Sequence, residues 1–168
     1  MRVGGHRMRE HIRLLWPLLA FLAVVWLLRL TLNAAGLPLK LSRLFSVTTA
    51  GAVAVLLAVI RIHSRGLGGY TNVVVASLLL NAWGQLLIVA AIVFSVMTGT
   101  ENVYTLPEFS GDGDDPLHLR HILGHLTFMT GLGTLMGAGV GCLMLLLLRM
   151  IVPVAAATNK DQVKGTRR

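Results

Sequence analysis

Charged residues are scarce in this chain, and their scarcity excludes an ordinary soluble domain. Only 13% of the 168 residues are Asp, Glu, Lys or Arg, which is about half the share in soluble proteins, whereas 55% are hydrophobic. Cysteine is limited to Cys142, so intramolecular disulfides and zinc or iron–sulfur sites built from cysteines are excluded. A chain of this length has room for one domain.

The usual signatures of catalysis are also missing. The sequence has no nucleophile with an adjacent base, no glycine-rich phosphate loop between a strand and a helix, and no His-Glu-x-x-His run. We therefore expect no enzymatic activity. The formal charge of +8 does not indicate a nucleic-acid partner, because the basic residues flank hydrophobic segments and do not form a solvated face with interleaved aromatics.

Long uncharged runs are what the sequence has in abundance. A helix rises about 1.5 Å per residue, so roughly 20 apolar residues cross a hydrocarbon core of about 30 Å. The runs are apolar on both faces and lack the alternation of barrel strands. We therefore predict an all-α integral membrane protein with a compact bundle of four transmembrane helices in residues 1–157. The expected spans cover about 13–32, 44–61, 73–98 and 125–152.

Arginines border the first span. It runs from Leu14 to Leu28 and extends to about Leu32 if Arg13 and Arg29 extend their charged ends to the two surfaces. A cleaved signal peptide is the competing interpretation, since four arginines precede the apolar core and Ala34-Ala35 follows it. Arg29 at the end of the core, without a clean small-x-small site before Ala34, favours a retained helix.

The distribution of charge predicts the orientation. If both termini are cytoplasmic, eleven of the 15 Lys and Arg residues face the cytoplasm, as the positive-inside rule requires. Five of the 7 acidic residues then fall in the outer loop between the third and fourth spans. We predict a multi-pass protein of a bacterial cytoplasmic (inner) membrane. Residues 158–168 are expected to form a flexible basic tail near anionic headgroups in the cytoplasm.

Three histidines before the fourth span are the first candidate site. His118, His121 and His125 are three and four residues apart. If a helix begins at Pro116, their imidazoles lie within about 60° of one face, because successive residues advance about 100°. Such a stripe predicts a zinc or copper site, or a proton relay. A haem is disfavoured, because no histidine on another span lies at the same depth.

The same stripe continues inward to two methionines. Along this stripe the potential ligands change from the histidine nitrogens to the thioether sulfurs of Met129 and Met136, which suit Cu(I). The competing interpretation is structural: Asp115 caps the helix, Pro116 occupies its first turn, and the histidines are polar residues at the membrane surface.

Small and polar residues inside the spans form two further candidate features. Gly133, Gly137 and Gly141 are four apart, which lets two helices approach closely in lipid; the partner helix stays open between this chain and another protein. Asn81 and Gln85 share one face of the third span, where they either hydrogen-bond another helix or line a solute path.

The sequence favours a structural or interaction protein over the alternatives. We expect a small bundle that associates with itself or with other membrane subunits through the glycine ridge, which comprises Gly133, Gly137 and Gly141. The first alternative is a metal-binding or metal-transport protein that holds zinc or copper with the histidine cluster. The second alternative is a channel or carrier for a small solute.

Overall fold

The computed structural model describes residues 2–38, 43–67, 69–106, 115 and 117–151. Four helices in this part of the chain are long and apolar enough to cross a membrane. They are α1 (Met8–Ala34), α2 (Val47–Ser64), α3 (Tyr70–Thr98) and α4 (Leu119–Ile151). Two-residue strands, β1 (Arg2–Val3) and β2 (His6–Arg7), pair before α1, and a 3-10 turn covers Arg43–Phe45. The prediction of a helical protein with four such helices is confirmed, whereas the expected tail at 158–168 lies outside the described residues.

The helix ends follow from local sequence. α1 begins at Met8, where the backbone N–H of Arg7 donates to the Glu10 carboxylate at 3.1 Å. This carboxylate also complements the positive end of the helix dipole. α3 ends at Thr98, and Gly99 after it has a φ of +67°, a left-handed conformation that glycine adopts without strain.

α3 is the central helix and packs against the other three. Leu15, Val59, Leu80 and Leu145, one from each helix, belong to the same buried core. α4 is the most exposed helix: only 11% of its most apolar window is buried, compared with 44% for α3. In a bilayer, the exposed apolar faces would meet hydrocarbon instead of water.

The glycine ridge packs against α3 of the same chain. A Cβ added to Gly133 would lie 2.5 Å from Asn81 Oδ1, and one added to Gly141 would lie 2.8 Å from Val73 Cγ1. Gly137 faces Asn81 and Ser77. The missing side chains therefore let α4 approach α3 closely, and the partner that the sequence left open is the third span.

Contacts at the two ends of the bundle establish that successive helices run in opposite directions. At one end, His11 Nε2 lies 3.0 Å from Asn72 Oδ1, which joins the starts of α1 and α3. Arg61 Nη1 donates to the Leu14 carbonyl at 3.2 Å, which brings the end of α2 to the same place. We call this end the Asn72 end. The opposite end holds the end of α1, the start of α2, the end of α3 and the start of α4, and we call it the histidine end.

Candidate functional site

A short turn after α3 folds back over the histidine end. Asn102 holds it in place: its side-chain amide donates to the Ala91 carbonyl at 2.7 Å, and its side-chain oxygen accepts from the Tyr104 backbone at 2.9 Å. The Ser95 hydroxyl donates to the Thr100 carbonyl at 2.7 Å. These bonds satisfy polar groups that would otherwise be costly to bury. As a result, Val103 and Tyr104 enter the interior of the bundle.

Arg29 turns inward to meet this turn. The residue is only 6% exposed, and its guanidinium carbon lies 4.9 Å from the centre of the Tyr104 ring. The sequence-based expectation that Arg29 extends to the membrane surface is therefore wrong. The physical reason is the aromatic ring, whose face attracts the cation. Burial raises the pKa of Tyr104 above its ordinary value, although the Arg29 charge opposes this shift.

A chain of hydrogen bonds links the central helix to two of the predicted histidines. His125 Nδ1 lies 2.6 Å from Gln85 Oε1, and His125 Nε2 lies 2.9 Å from His121 Nε2. The Gln85 oxygen can only accept, so Nδ1 of a neutral His125 carries the proton, and His121 donates to its Nε2. In this arrangement His121 Nδ1 is an acceptor, and it is buried without a partner among the described residues.

A π-helical turn in α4 makes the Gln85 contact possible. It spans His125–Met129, and the Thr130 backbone N–H donates to the His125 carbonyl five residues earlier. A π-turn adds about one residue to a turn of helix. Residues about eight apart, rather than seven, then share a face, and eight is the separation of His125 from Gly133. His125 and the glycine ridge therefore both face α3.

The start of α4 differs from the prediction. The helix begins at Leu119 and not at Pro116, and His118 before it has a φ of +49°. His118 is therefore outside the helix, and the predicted stripe of three imidazoles is wrong at its first member. Its ring centre lies 6.4 Å from that of His121. The N-cap residue is therefore His118 and not Asp115, although the Asp115 carboxylate still accepts from the Arg120 backbone N–H in the first turn at 2.6 Å.

These residues surround a partly enclosed cavity of about 390 Å³ at the histidine end. It is lined by side chains from all four helices and from the turn: Arg29, Ser46, Thr48, Thr49, Ile88, Tyr104, His121 and His125. We call this cavity the outer pocket. Its floor includes the N-terminus of α2, where Ser46 makes no side-chain capping hydrogen bond. The first backbone N–H groups of a helix have no partner within the helix, so they are available as donors.

The other predicted site residues lie away from the outer pocket. Asn81 donates to the Ser77 carbonyl of its own helix at 2.9 Å. It lines a smaller cavity of about 230 Å³ between α2, α3 and α4, which Met136 also borders. Met136 and Met129 are 62% and 45% exposed. Gln85 was predicted to bond another helix or line a path, and its contact with His125 supports the first interpretation.

A complete metal centre is not formed by the described residues, because no three His, Cys, Asp or Glu side chains converge closely enough to hold an ion. The zinc or copper site thus stays a prediction. Sequence reasoning missed the roles of Arg29, Tyr104 and Asn102. The only available signal was Asn102 itself, because Asn side chains commonly bond the backbone two residues on.

Comparison of this chain with models of protein families, with curated proteins and with solved structures finds no match.

Proposed function

We propose that the chain is a multi-pass protein of a bacterial cytoplasmic membrane with both termini in the cytoplasm. The charges at the two ends of the bundle support this orientation. Basic residues gather at the Asn72 end: Arg7, Arg9, Arg13, Arg61, Arg65 and Arg149. Among the described residues, the histidine end has three basic residues, Arg29, Arg43 and Arg120, so it faces the outside under the positive-inside rule. Glu101 and Asp115 also lie at this end.

We further propose that the protein binds a small polar molecule in the outer pocket. The observation that carries this proposal is the hydrogen-bonded chain from Gln85 through His125 to His121, which reaches a cavity that also holds buried Arg29. Polar and charged groups are costly to bury within a membrane protein, so they are normally found where they line a functional site.

Native mass spectrometry of protein extracted with its surrounding lipid tests this proposal. We expect the wild-type protein to retain a small molecule that the His121→Phe variant loses, because phenylalanine keeps the ring volume but has no nitrogen. Met129→Leu is the matched control, since Met129 is exposed on the same helix and lies outside the pocket. Wild-type protein without any bound small molecule, or equal retention in both variants, would overturn the proposal.

A transition metal is the second candidate occupant, and the Gln85 contact favours it. A histidine that ligates a metal commonly donates its other N–H to a carbonyl oxygen, as His125 does to Gln85. Zinc–nitrogen bonds are about 2.0–2.1 Å long, so one ion between the two Nε2 atoms requires them to separate slightly beyond 2.9 Å. Metal analysis of the purified protein distinguishes this candidate: zinc or copper at about one per chain, lost in His125→Ala, would establish it.

Association with itself or with other membrane subunits also stays a proposal. The glycine ridge contacts α3, so such association would use another surface. The outward side of α4 offers Leu135, Leu143 and Met150, which are 72%, 58% and 74% exposed. Sizing the protein in nanodiscs against Leu135→Trp and Leu143→Trp variants tests this surface: a change to a smaller species supports it, and an unchanged monomer contradicts it.

A further inference from the structure

The outer pocket is lined by a guanidinium, four hydroxyls, two imidazoles and the side chain of Ile88. Arg29 contributes a guanidinium, which has five N–H groups and no acceptor. Ser46, Thr48 and Thr49 contribute hydroxyls at the first turn of α2. The guanidinium can only donate and each hydroxyl is able to donate, so this lining suits a ligand rich in acceptor oxygens.

The start of α2 supplies a second, independent attraction for negative charge. This helix is 18 residues long, and its aligned peptide dipoles place partial positive charge at its N-terminus. The Ala50 N–H donates to the Ser46 carbonyl at 2.9 Å, which is the first hydrogen bond of the helical ladder. The backbone N–H groups before Ala50 are therefore left for another acceptor. An anion at such a helix end is a common binding arrangement.

Tyr104 gives the third observation, and it points to a ligand directly. The residue is 5% exposed and lines the outer pocket. The Arg29 guanidinium interacts with its hydroxyl, but not at the distance and angle of a full hydrogen bond, and no other described residue is its partner. A buried hydroxyl that lacks a partner costs free energy, and such groups are usually satisfied by a water or a ligand. Arg29 lies over the same ring, which places its positive charge beside this hydroxyl.

Resting on the proposed function of the outer pocket, we infer that its ligand carries a small oxyanion, a carboxylate or a phosphoryl group. The oxyanion is held between Arg29, the Tyr104 hydroxyl and the N-terminus of α2. The histidine pair forms the remaining wall, where His121 Nδ1 is an acceptor and therefore suits a hydroxyl of the ligand and not its oxyanion. The oxyanion comes either from a soluble molecule or from the headgroup of an anionic lipid, because the chemistry of recognition is the same.

Calorimetric titration of the full chain in nanodiscs of phosphatidylcholine tests the inference with three probes. Inorganic phosphate and benzoate are anions, and benzamide is the neutral counterpart of benzoate. We expect the two anions to bind and benzamide to bind at least about tenfold more weakly, because hydrogen bonds to charged groups are the stronger kind. Arg29→Gln should weaken phosphate binding by at least about tenfold for the same reason.

A variant at Ser46 keeps the test valid if Arg29→Gln fails to fold. Ser46→Asp places a carboxylate at the helix N-terminus, where Asp is a favourable cap, so it competes with the ligand while stabilising α2. We expect it to abolish phosphate binding. Ser46→Asn should weaken phosphate binding less than Ser46→Asp does, because its amide oxygen accepts from the same N–H groups but carries no charge. Arg120→Gln is the control, since Arg120 is exposed at the same end and does not line the pocket. It should bind phosphate within about twofold of the wild type.

A second arm distinguishes the source of the oxyanion. In nanodiscs that contain phosphatidylglycerol, native mass spectrometry should detect retained phosphatidylglycerol in the wild type and not in Ser46→Asp if a lipid headgroup is the occupant. Equal binding of benzamide and benzoate would overturn the oxyanion inference and leave the proposed pocket standing. No binding of any probe, together with no retained phosphatidylglycerol, would overturn it as well.

Discussion

The glycine ridge of α4 allows a sharp prediction from two substitutions of the same kind. Gly141 packs between α2 and α3: an added Cβ would lie 2.8 Å from Val73 Cγ1 and 3.2 Å from Val59 Cγ2. Both neighbours are β-branched valines, which have few alternative rotamers. Gly139 lies on the same helix, and nothing comes within 4 Å of its added Cβ. Gly141→Ala therefore overfills an interface that Gly139→Ala leaves untouched.

The magnitude follows from the difference between the two sites. Both substitutions gain helix propensity, roughly 0.8–1 kcal/mol for Gly to Ala in a helix interior. Overpacking a well-packed interior costs about 1–3 kcal/mol, and only Gly141→Ala incurs this cost. We expect Gly141→Ala to be less stable than Gly139→Ala by about 1–3 kcal/mol, and Gly139→Ala to be at least as stable as the wild type.

Reversible unfolding in mixed detergent and dodecyl sulfate micelles, followed by circular dichroism, measures this difference. Each variant differs from the wild type by one methyl group, so the unfolded states are closely matched. A difference below about 0.5 kcal/mol would refute the reasoning, since changes of that size are ordinary for surface positions. A larger loss for Gly139→Ala would also refute it.

Three further predictions concern the histidine end. Asn102→Ala should cost about 1–3 kcal/mol, because the Tyr104 backbone N–H loses its acceptor and the Ala91 carbonyl loses its second donor, and hydrogen exchange of residues 100–106 should accelerate. Gln85→Leu should remove the preference of His125 for the Nδ1-protonated form, which ¹⁵N NMR of the imidazoles detects. Because folding raises the pKa of Tyr104 above 10.0, the unfolded state releases its proton first, so stability should fall as pH rises past about 10, and Tyr104→Phe should reduce that fall.

Each of these predictions has a result that contradicts it. Asn33→Ala is the control for the Asn102 turn, and equal exchange rates in the two variants would show that the turn is held otherwise. An unchanged tautomer in Gln85→Leu would remove Gln85 as the residue that orients His125. Unfolding free energies compared between about pH 9 and about pH 11 should decline more in the wild type than in Tyr104→Phe. A parallel decline would assign the pH dependence to other groups.

The helical architecture was predictable because uncharged runs long enough to cross a bilayer, without the alternation of barrel strands, fold as helices. The spacing of charges located four long helices, and the glycine spacing located the face of α4 that packs closely. What the spacing could not supply was the identity of the partner helix, since α2 and α3 both offer small residues. The contacts of Gly133 and Gly141 with α3 depend on how all four helices assemble.

The outer pocket was only partly predictable, for three physical reasons. The helical wheel assumed regular α-helix from Pro116, whereas α4 begins at Leu119 and contains a π-turn that changes which residues share a face. The position of Arg29 near the end of the first span predicted that its side chain extends to the membrane surface. That position does not reveal the ring of Tyr104, which lies 75 residues later in the chain. That ring enters the bundle because Asn102 folds the turn inward, an arrangement fixed by tertiary hydrogen bonds.

An experimental structure of the protein taken from its native membrane with its lipids tests the central claim most directly. The account predicts non-protein density in the outer pocket, in contact with Arg29, Tyr104 and His121. It also predicts that the His125 imidazole stays hydrogen-bonded to Gln85. A cavity that is filled by the protein's own side chains, with Arg29 turned out to the membrane surface, would contradict it.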